Sequence, residues 1–169
     1  WADYIGYTDV DISIDLRFTA KLVEPLVKGK SQVSIGSRWC KGAQVPDLKG
    51  IAKISSRVFN YCVHLIVPPL KDIKDTQRGF KLFDREVIET ILPFVKDNGF
   101  AFDVELLLLS KLARYWIREV PIFWHESQKA STINMLSDAP KMLRSIIKYR
   151  RHIYWQKIAT IFIWNKEKG

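Results

Sequence analysis

With 169 residues, 47% of them hydrophobic and 12% aromatic, the chain is long and apolar enough to bury one real core, which excludes an intrinsically disordered polymer. Two cysteines, Cys40 and Cys62, are too few and too unrelated in context for a disulfide framework or a zinc site, and read as free thiols in a reducing compartment. The net charge of +9 favours anionic partners and is concentrated toward the C-terminal end.

Tyr4-Ile5-Gly6-Tyr7 is a short apolar run that predicts a strand, closed by Thr8-Asp9-Val10-Asp11. Side chains i and i+2 of a strand share a face, so Asp9 and Asp11 can converge on one hard cation while Val10 packs the other way. A solvated turn is the competing account of the same tripeptide. Residues 15–28 carry Leu16, Ala20, Val23 and Val27 at helical spacing with Gly29 as a stop, and residues 32–37 alternate into Val33 and Ile35 as a second strand. Such a β-α-β unit normally makes a parallel pair with a right-handed crossover. The segment 38–50, with Gly42, Pro46 and Gly50, predicts a mobile surface loop.

Residues 51–67 are apolar on nearly every side, which predicts a buried helix ended by Pro68 and Pro69. The same helix carries Lys53, Arg57, Asn60 and His64, and an alternative is a helix lying against a membrane with its long cations reaching outward. Residues 77–83 predict a glycine-containing strand, and Asp84 the cap of a helix running to Leu92. Residues 103–115 predict an amphipathic helix with Leu106, Leu107, Leu109 and Leu112 inside, and residues 117–124 a strand ending near Pro121. An ordered loop over 127–137 precedes a helix over 138–155 whose first turn accommodates Pro140.

From Lys141 onward, Lys141, Arg144, Lys148, Arg150, Arg151, Lys157, Lys166 and Lys168 stand against one acid, Glu167. A solvated helix face, nucleic acid or an anionic membrane surface would each suit such a charge, but the interleaved Ile146, Tyr149, Tyr154, Trp155, Phe162 and Trp164 favour the membrane interface. No nucleic-acid-binding motif accompanies the charge, so nucleic acid is not an expected partner. No apolar run approaches the roughly 20 residues of a transmembrane helix, and the N-terminus has no signal-peptide pattern. Trp1 stands in place of an initiator methionine a few residues before a strand, which is the expectation for the interior of a longer protein.

Five pieces taken in order carry a resemblance: Thr8-Asp9-Val10-Asp11, Gly36-Ser37-Arg38, Asp75-Thr76-Gln77-Arg78-Gly79-Phe80-Lys81, Phe102-Asp103-Val104-Glu105-Leu106, and Glu119-Val120-Pro121-Ile122 running on to Trp124 and Ser131. Together they resemble the inverting family-two glycosyltransferases of GT-A fold, in particular the polyprenyl-phosphate branch that includes dolichyl-phosphate glucose and mannose synthases. The resemblance spans about Tyr4 to Arg150, and Asp75 to Phe83 is nearest the glucosyltransferase type. It implies an α/β fold, a GT-A-like, Rossmann-like mixed sheet flanked by helices. Residues 1–137 would be the C-terminal part of the catalytic domain and 138–169 a basic aromatic helical tail at the membrane interface.

The implied reaction moves a hexose from a nucleotide sugar, of UDP-glucose or GDP-mannose type, to a polyprenyl or dolichyl phosphate with inversion. It would take place at the cytoplasmic face of a membrane. Mg²⁺ or Mn²⁺ would be held by Asp9 and Asp11, with Ser13 at the place of a further, weaker contact. The implied catalytic set is Asp11, Arg38, Asp75 and Glu105. Arg38 resembles the arginine that meets a substrate phosphate, and Lys53 and Arg57 lie where relatives carry basic residues facing the acceptor. Asp75 and Gln77 flank the sugar site. Asp103 and Glu105 open a helix, where the dipole alone already favours carboxylates, and Glu105 would join the sugar or phosphate network. Trp124 and His125 would line the rim, with Lys129 and Ser131 in the loop beyond.

Two positions depart from the pattern: Arg78 stands where many relatives have a small residue or cysteine, and Ser131 is followed by Thr132 rather than lysine. The nucleoside-binding β-α-β segment that opens such enzymes has no counterpart in these residues. The resemblance therefore implies an inactive fragment with an unpaired sheet edge, partnered by the missing N-terminal segment of the same enzyme. A non-catalytic, membrane-associated module of the same fold is the alternative, against which Asp9, Asp11 and Arg38 speak.

Overall fold

The computed structural model describes residues 2–9, 15–46, 50–99, 101–124, 140–141 and 143–147. They form an α/β arrangement in which a four-stranded mixed sheet is flanked by helices. Strand β1 (Tyr4–Thr8) precedes a 3-10 turn at Leu16–Phe18 and helix α1 (Thr19–Val27). Gly29, at φ 62°, ends that helix in the left-handed conformation that glycine takes without steric cost. Strand β2 (Val33–Ser37) leads through the 38–46 loop to α2 (Gly50–Ile66), which Pro68 and Pro69 stop. Then come β3 (Phe80–Asp84), α3 (Arg85–Ile91), α4 (Phe102–Leu112) and β4 (Ile117–Pro121). Residues 140–141 and 143–147 are helical, while the rest of the predicted 138–155 helix and the 127–137 loop lie outside the described residues.

The strand order is β1-β3-β2-β4, with β3 antiparallel to both neighbours and β2 parallel to β4. One expectation is corrected: β1 and β2 run the same way but do not pair, because β3 lies between them. The side chains explain the order. Phe83 and Phe80 of β3 are buried on opposite faces, as a central strand requires, whereas Ile5 of β1 is 40% exposed, as an edge tolerates. Alternation along a strand fixes its faces but says nothing of its neighbours.

One face of the sheet, carrying Val33, Ile35 and Phe83, packs under α2, α3 and α4. The other carries Phe80, Val120 and Ile122, which pack with Trp124 against Leu22 of α1. Helix α4 is buried on every side from Val104 to Ser110, so it is an interior helix rather than the one-sided amphipathic element predicted. Helix α2 is corrected in the opposite sense. Ser56, Phe59, Asn60 and Val63 face inward, but Ile54, Val58, Tyr61 and Leu65 are 55–66% exposed. Those four recur at the helical period and form one apolar stripe. The apolar arc is wide enough to take in both the exposed stripe and the buried Phe59 and Val63, so its periodicity does not say which part turns inward. The 38–46 loop is pinned rather than free: the Gln44 N–H donates to the Ile122 carbonyl (3.0 Å), and the Trp124 N–H to the Gln44 carbonyl (2.9 Å).

A Cβ at Gly36 would stand 2.9 Å from both Ile122 Cγ2 and Phe80 Cδ1. Gly36→Ala is therefore expected to cost about 1–3 kcal/mol by overpacking. The check is a lower urea midpoint at unchanged slope.

Candidate functional site

Strands β1, β2 and β4 end at one end of the sheet and β3 begins there, so Asp9, Arg38, the turn 75–79 and Trp124 gather at that end. The crevice beyond the carboxyl ends of strands is where α/β folds place ligands.

Its centre is a buried ion pair. Arg38 Nε donates to Asp75 Oδ2 (2.8 Å), Nη2 to Oδ1 (2.8 Å), and the Arg38 backbone N–H again to Oδ2 (3.0 Å). Arg38 Nη2 also donates to Ser56 Oγ on α2 (3.1 Å), and the Asp75 N–H donates to Glu119 Oε1 of β4 (3.1 Å). The side chains are 9% and 0% exposed. Burial pushes the Asp75 carboxyl up, but the charge and hydrogen bonds of Arg38, helped by the charge of Arg78, hold it below the usual carboxylate range. Thr76 is fixed beside it by its N–H (3.1 Å) and hydroxyl (2.7 Å), which both donate to Asn60 Oδ1 of α2. Both Asp75 oxygens therefore face Arg38, and Asp75 is the counter-ion of that guanidinium.

Asp9 is held from two sides. Its N–H donates to the Gly79 carbonyl (2.6 Å), and its Oδ2 lies 3.3 Å from Arg78 Nη2. A Cβ at Gly79 would fall 2.0 Å from Asp9 Oδ1, so the bare glycine makes room for the carboxylate. Asp11, Ser13, His125, Lys129 and Ser131 lie outside the described residues, and among the described residues no group of three His, Cys, Asp or Glu could hold a metal. Asp9 itself suits a divalent cation in being a hard oxygen donor that is partly exposed.

Asp103 takes a hydrogen bond from the Tyr7 hydroxyl (2.7 Å) and another from Lys81 Nζ, which also donates to the Arg78 carbonyl. Lys81 is fully buried, and burial first, then the Asp103 charge, push the Tyr7 hydroxyl far above its usual range, so it remains a neutral donor. The Glu105 carboxylate accepts the backbone N–H groups of Lys96 (2.9 Å) and Asp97 (2.8 Å), which ties it to the loop after α3. Lys53 and Arg57 are exposed on α2, and Gln77 is half-buried in the turn. Trp39 belongs to the site although its sequence position did not single it out. The Arg38 and Arg57 guanidinium carbons lie 5.3 and 5.0 Å from its ring centroid, and its place directly after Arg38 was the signal available. Arg78 lies 5.9 Å from the Trp124 ring.

Asp75→Asn should cost about 3–5 kcal/mol, because Arg38 would remain buried without its counter-charge. Since the folded-state Asp75 pKa lies below the unfolded one, the pair's contribution is complete above about pH 4 and is lost as pH falls through the folded value. Acid denaturation should therefore be shallower below about pH 4 in Asp75→Asn than in the parent, when both are followed by circular dichroism.

No family model matches the chain. It is similar to glycosyltransferase AglD of Haloferax volcanii, 30% identical over 154 residues that cover 91% of this chain and 23% of that protein. It is 34% identical over 125 residues to a dolichyl-phosphate β-glucosyltransferase of Saccharomyces cerevisiae, covering 72% of this chain and 36% of that one. A dolichol-phosphate mannosyltransferase of Pyrococcus furiosus is 28% identical over 152 residues, 90% of this chain and 40% of that enzyme. The chain thus spans less than half the length of each of these curated relatives.

Proposed function

Because the chain is a distant homologue of polyprenyl-phosphate hexosyltransferases, we propose that it is the acceptor-side part of a GT-A enzyme that moves a hexose, with inversion, from a nucleotide sugar to a polyprenyl or dolichyl phosphate. The observation that carries this reading is the convergence of Asp9, the Arg38–Asp75 pair and Trp124 at the carboxyl end of the sheet, in a chain with those homologues.

The departing nucleoside diphosphate gathers negative charge, which a Mg²⁺ or Mn²⁺ ion held by Asp9 and Asp11, with Ser13 alongside, would neutralise when bound. Arg38 has one guanidinium nitrogen, Nη1, outside its bonds to Asp75 and Ser56, and presents it to a substrate phosphate. Asp75 is a positioning residue in this reading, since it sets the plane of that fork. Glu105 and Asp103 act likewise by fixing loop 95–99 and Lys81, while Gln77, Trp124, Lys129 and Ser131 border the sugar and acceptor. A phosphate acceptor is already largely ionised near neutral pH, so no strong general base is needed.

The acceptor's prenyl chain stays in a bilayer, so the site has to come within reach of the headgroups. The exposed stripe Ile54, Val58, Tyr61 and Leu65, flanked by exposed Lys53 and Arg57, supports α2 as the surface that lies on the membrane. No helix among the described residues is long and apolar enough to cross a membrane, and the proposed contact is with its surface. Residues 138–169 extend this contact as a basic aromatic tail, in which Lys141 and Arg144 are exposed while Ile146 is buried in the core. Residues beyond these 169 would hold the nucleoside, dock on the β1 edge, and be required for turnover.

The test is transfer of radiolabelled hexose from UDP-glucose and GDP-mannose to polyprenyl phosphate by the full-length gene product, with Mg²⁺ or Mn²⁺. Arg38→Ala and Asp9→Asn are each expected to lower turnover about 10²- to 10³-fold, and residues 1–169 alone to give none. Absence of transfer from every donor by folded full-length protein overturns the reading. Separately, the 169-residue chain should co-sediment with phosphatidylserine vesicles in a salt-sensitive way, and Ile54→Glu with Val58→Glu should weaken that binding about tenfold or more.

A further inference from the structure

Arg78 is wedged among the residues of the site without a part in the transfer just described. Its Nη2 lies 3.3 Å from Asp9 Oδ2, its Cζ is 5.9 Å from the Trp124 ring centroid, and its side chain is 15% exposed. Its backbone is fixed as well, because its carbonyl accepts a hydrogen bond from Lys81, a fully buried cation that Asp103 pairs. Asp9 is equally constrained, with its carboxylate against Gly79 and its N–H bonded to the Gly79 carbonyl. A positive charge of fixed position therefore stands at the carboxylate that would coordinate a divalent ion.

We propose that Arg78 is the resident counter-cation of Asp9, which a divalent cation has to displace, and that the displaced guanidinium then binds the diphosphate of the nucleotide sugar. This rests on the function proposed above. A Mg²⁺-type ion binds carboxylate oxygen at about 2.0–2.1 Å, and a guanidinium still paired to the same carboxylate would repel it at close quarters. Once released, the planar fork of donors matches a diphosphate, and the Trp124 ring keeps the cation near the site during the exchange. Metal binding without nucleotide is weakened by this competition, while metal and nucleotide together reinforce each other.

Reinforcement alone could come from a metal bridging the diphosphate, so the deciding experiment omits the nucleotide. Calorimetric titration of the full-length protein with Mn²⁺ should show Arg78→Gln binding the ion about tenfold more tightly than the parent, within the range of such couplings. In saturating Mn²⁺ the same variant should bind UDP or GDP about tenfold more weakly. Equal or weaker Mn²⁺ binding by a folded Arg78→Gln overturns the inference and leaves the transferase reading intact if hexose transfer persists. Failure of both proteins to bind Mn²⁺ overturns the inference and the metal-dependent reading together. A measurement that does not depend on that variant folding is tryptophan emission: Mg²⁺ should change it in the parent and not in Trp124→Phe, and a change that survives Trp124→Phe unaltered counts against the displacement.

Discussion

The Arg38–Asp75 pair locks the geometry of this end of the sheet, because the pair and the hydrogen bonds that continue from it tie β2, the turn into β3, α2 and β4 together beyond the strand ladders. Arg38 follows β2, Asp75 opens the turn into β3, and the two hydrogen bonds that continue from the pair reach Ser56 on α2 and Glu119 on β4. Two charges taken out of water do not by themselves stabilise a fold, since their desolvation offsets much of their attraction. What they do is make any other arrangement costly, since separating them would strand a buried ion. The turn 75–79 is fixed as a result, and with it Gly79 and Arg78, the two residues against which Asp9 rests.

Around this pair, several carboxylates that sequence alone offers as equal candidates divide into different tasks. Asp9 is the most exposed of them and pairs with Arg78, a mostly buried cation. Asp75 and Asp103 each serve a buried cation, Arg38 and Lys81. Glu105 serves backbone N–H groups of a loop. The division follows from surroundings rather than residue type, because what each carboxylate pairs with is set by the cations and N–H groups that the fold brings to it.

Element types were largely legible in the sequence, since β1, α1, β2, β3, α3, α4 and β4 fall within a few residues of where pattern and turn chemistry place them. Order within the sheet was not, because β3 and its neighbours carry similar apolar runs and nothing local tells a central strand from an edge. Helix α2 misled for a related reason: its apolar arc is broad, and the core takes only the part with Phe59 and Val63 while Ile54, Val58, Tyr61 and Leu65 stay outside. Of the site, Asp9 and Arg38 could be picked out by position after a strand. That Asp75 would close on Arg38, or Glu105 on the 96–97 backbone, depends on contacts 37 and 8–9 residues apart that no local pattern encodes.

Ser56 occupies an unusual station. It lies on the inner face of α2 and accepts a hydrogen bond from Arg38, while Ile54 and Val58, two residues away on either side, look outward from the same two turns. A helix with its side chains is only about 10–12 Å across. The arginine at the heart of the site and the surface that meets the outside are thus separated by the thickness of one rigid rod. A tilt of that rod would be felt at the guanidinium directly, without any chain of intermediates, so seating and alignment would be a single mechanical event.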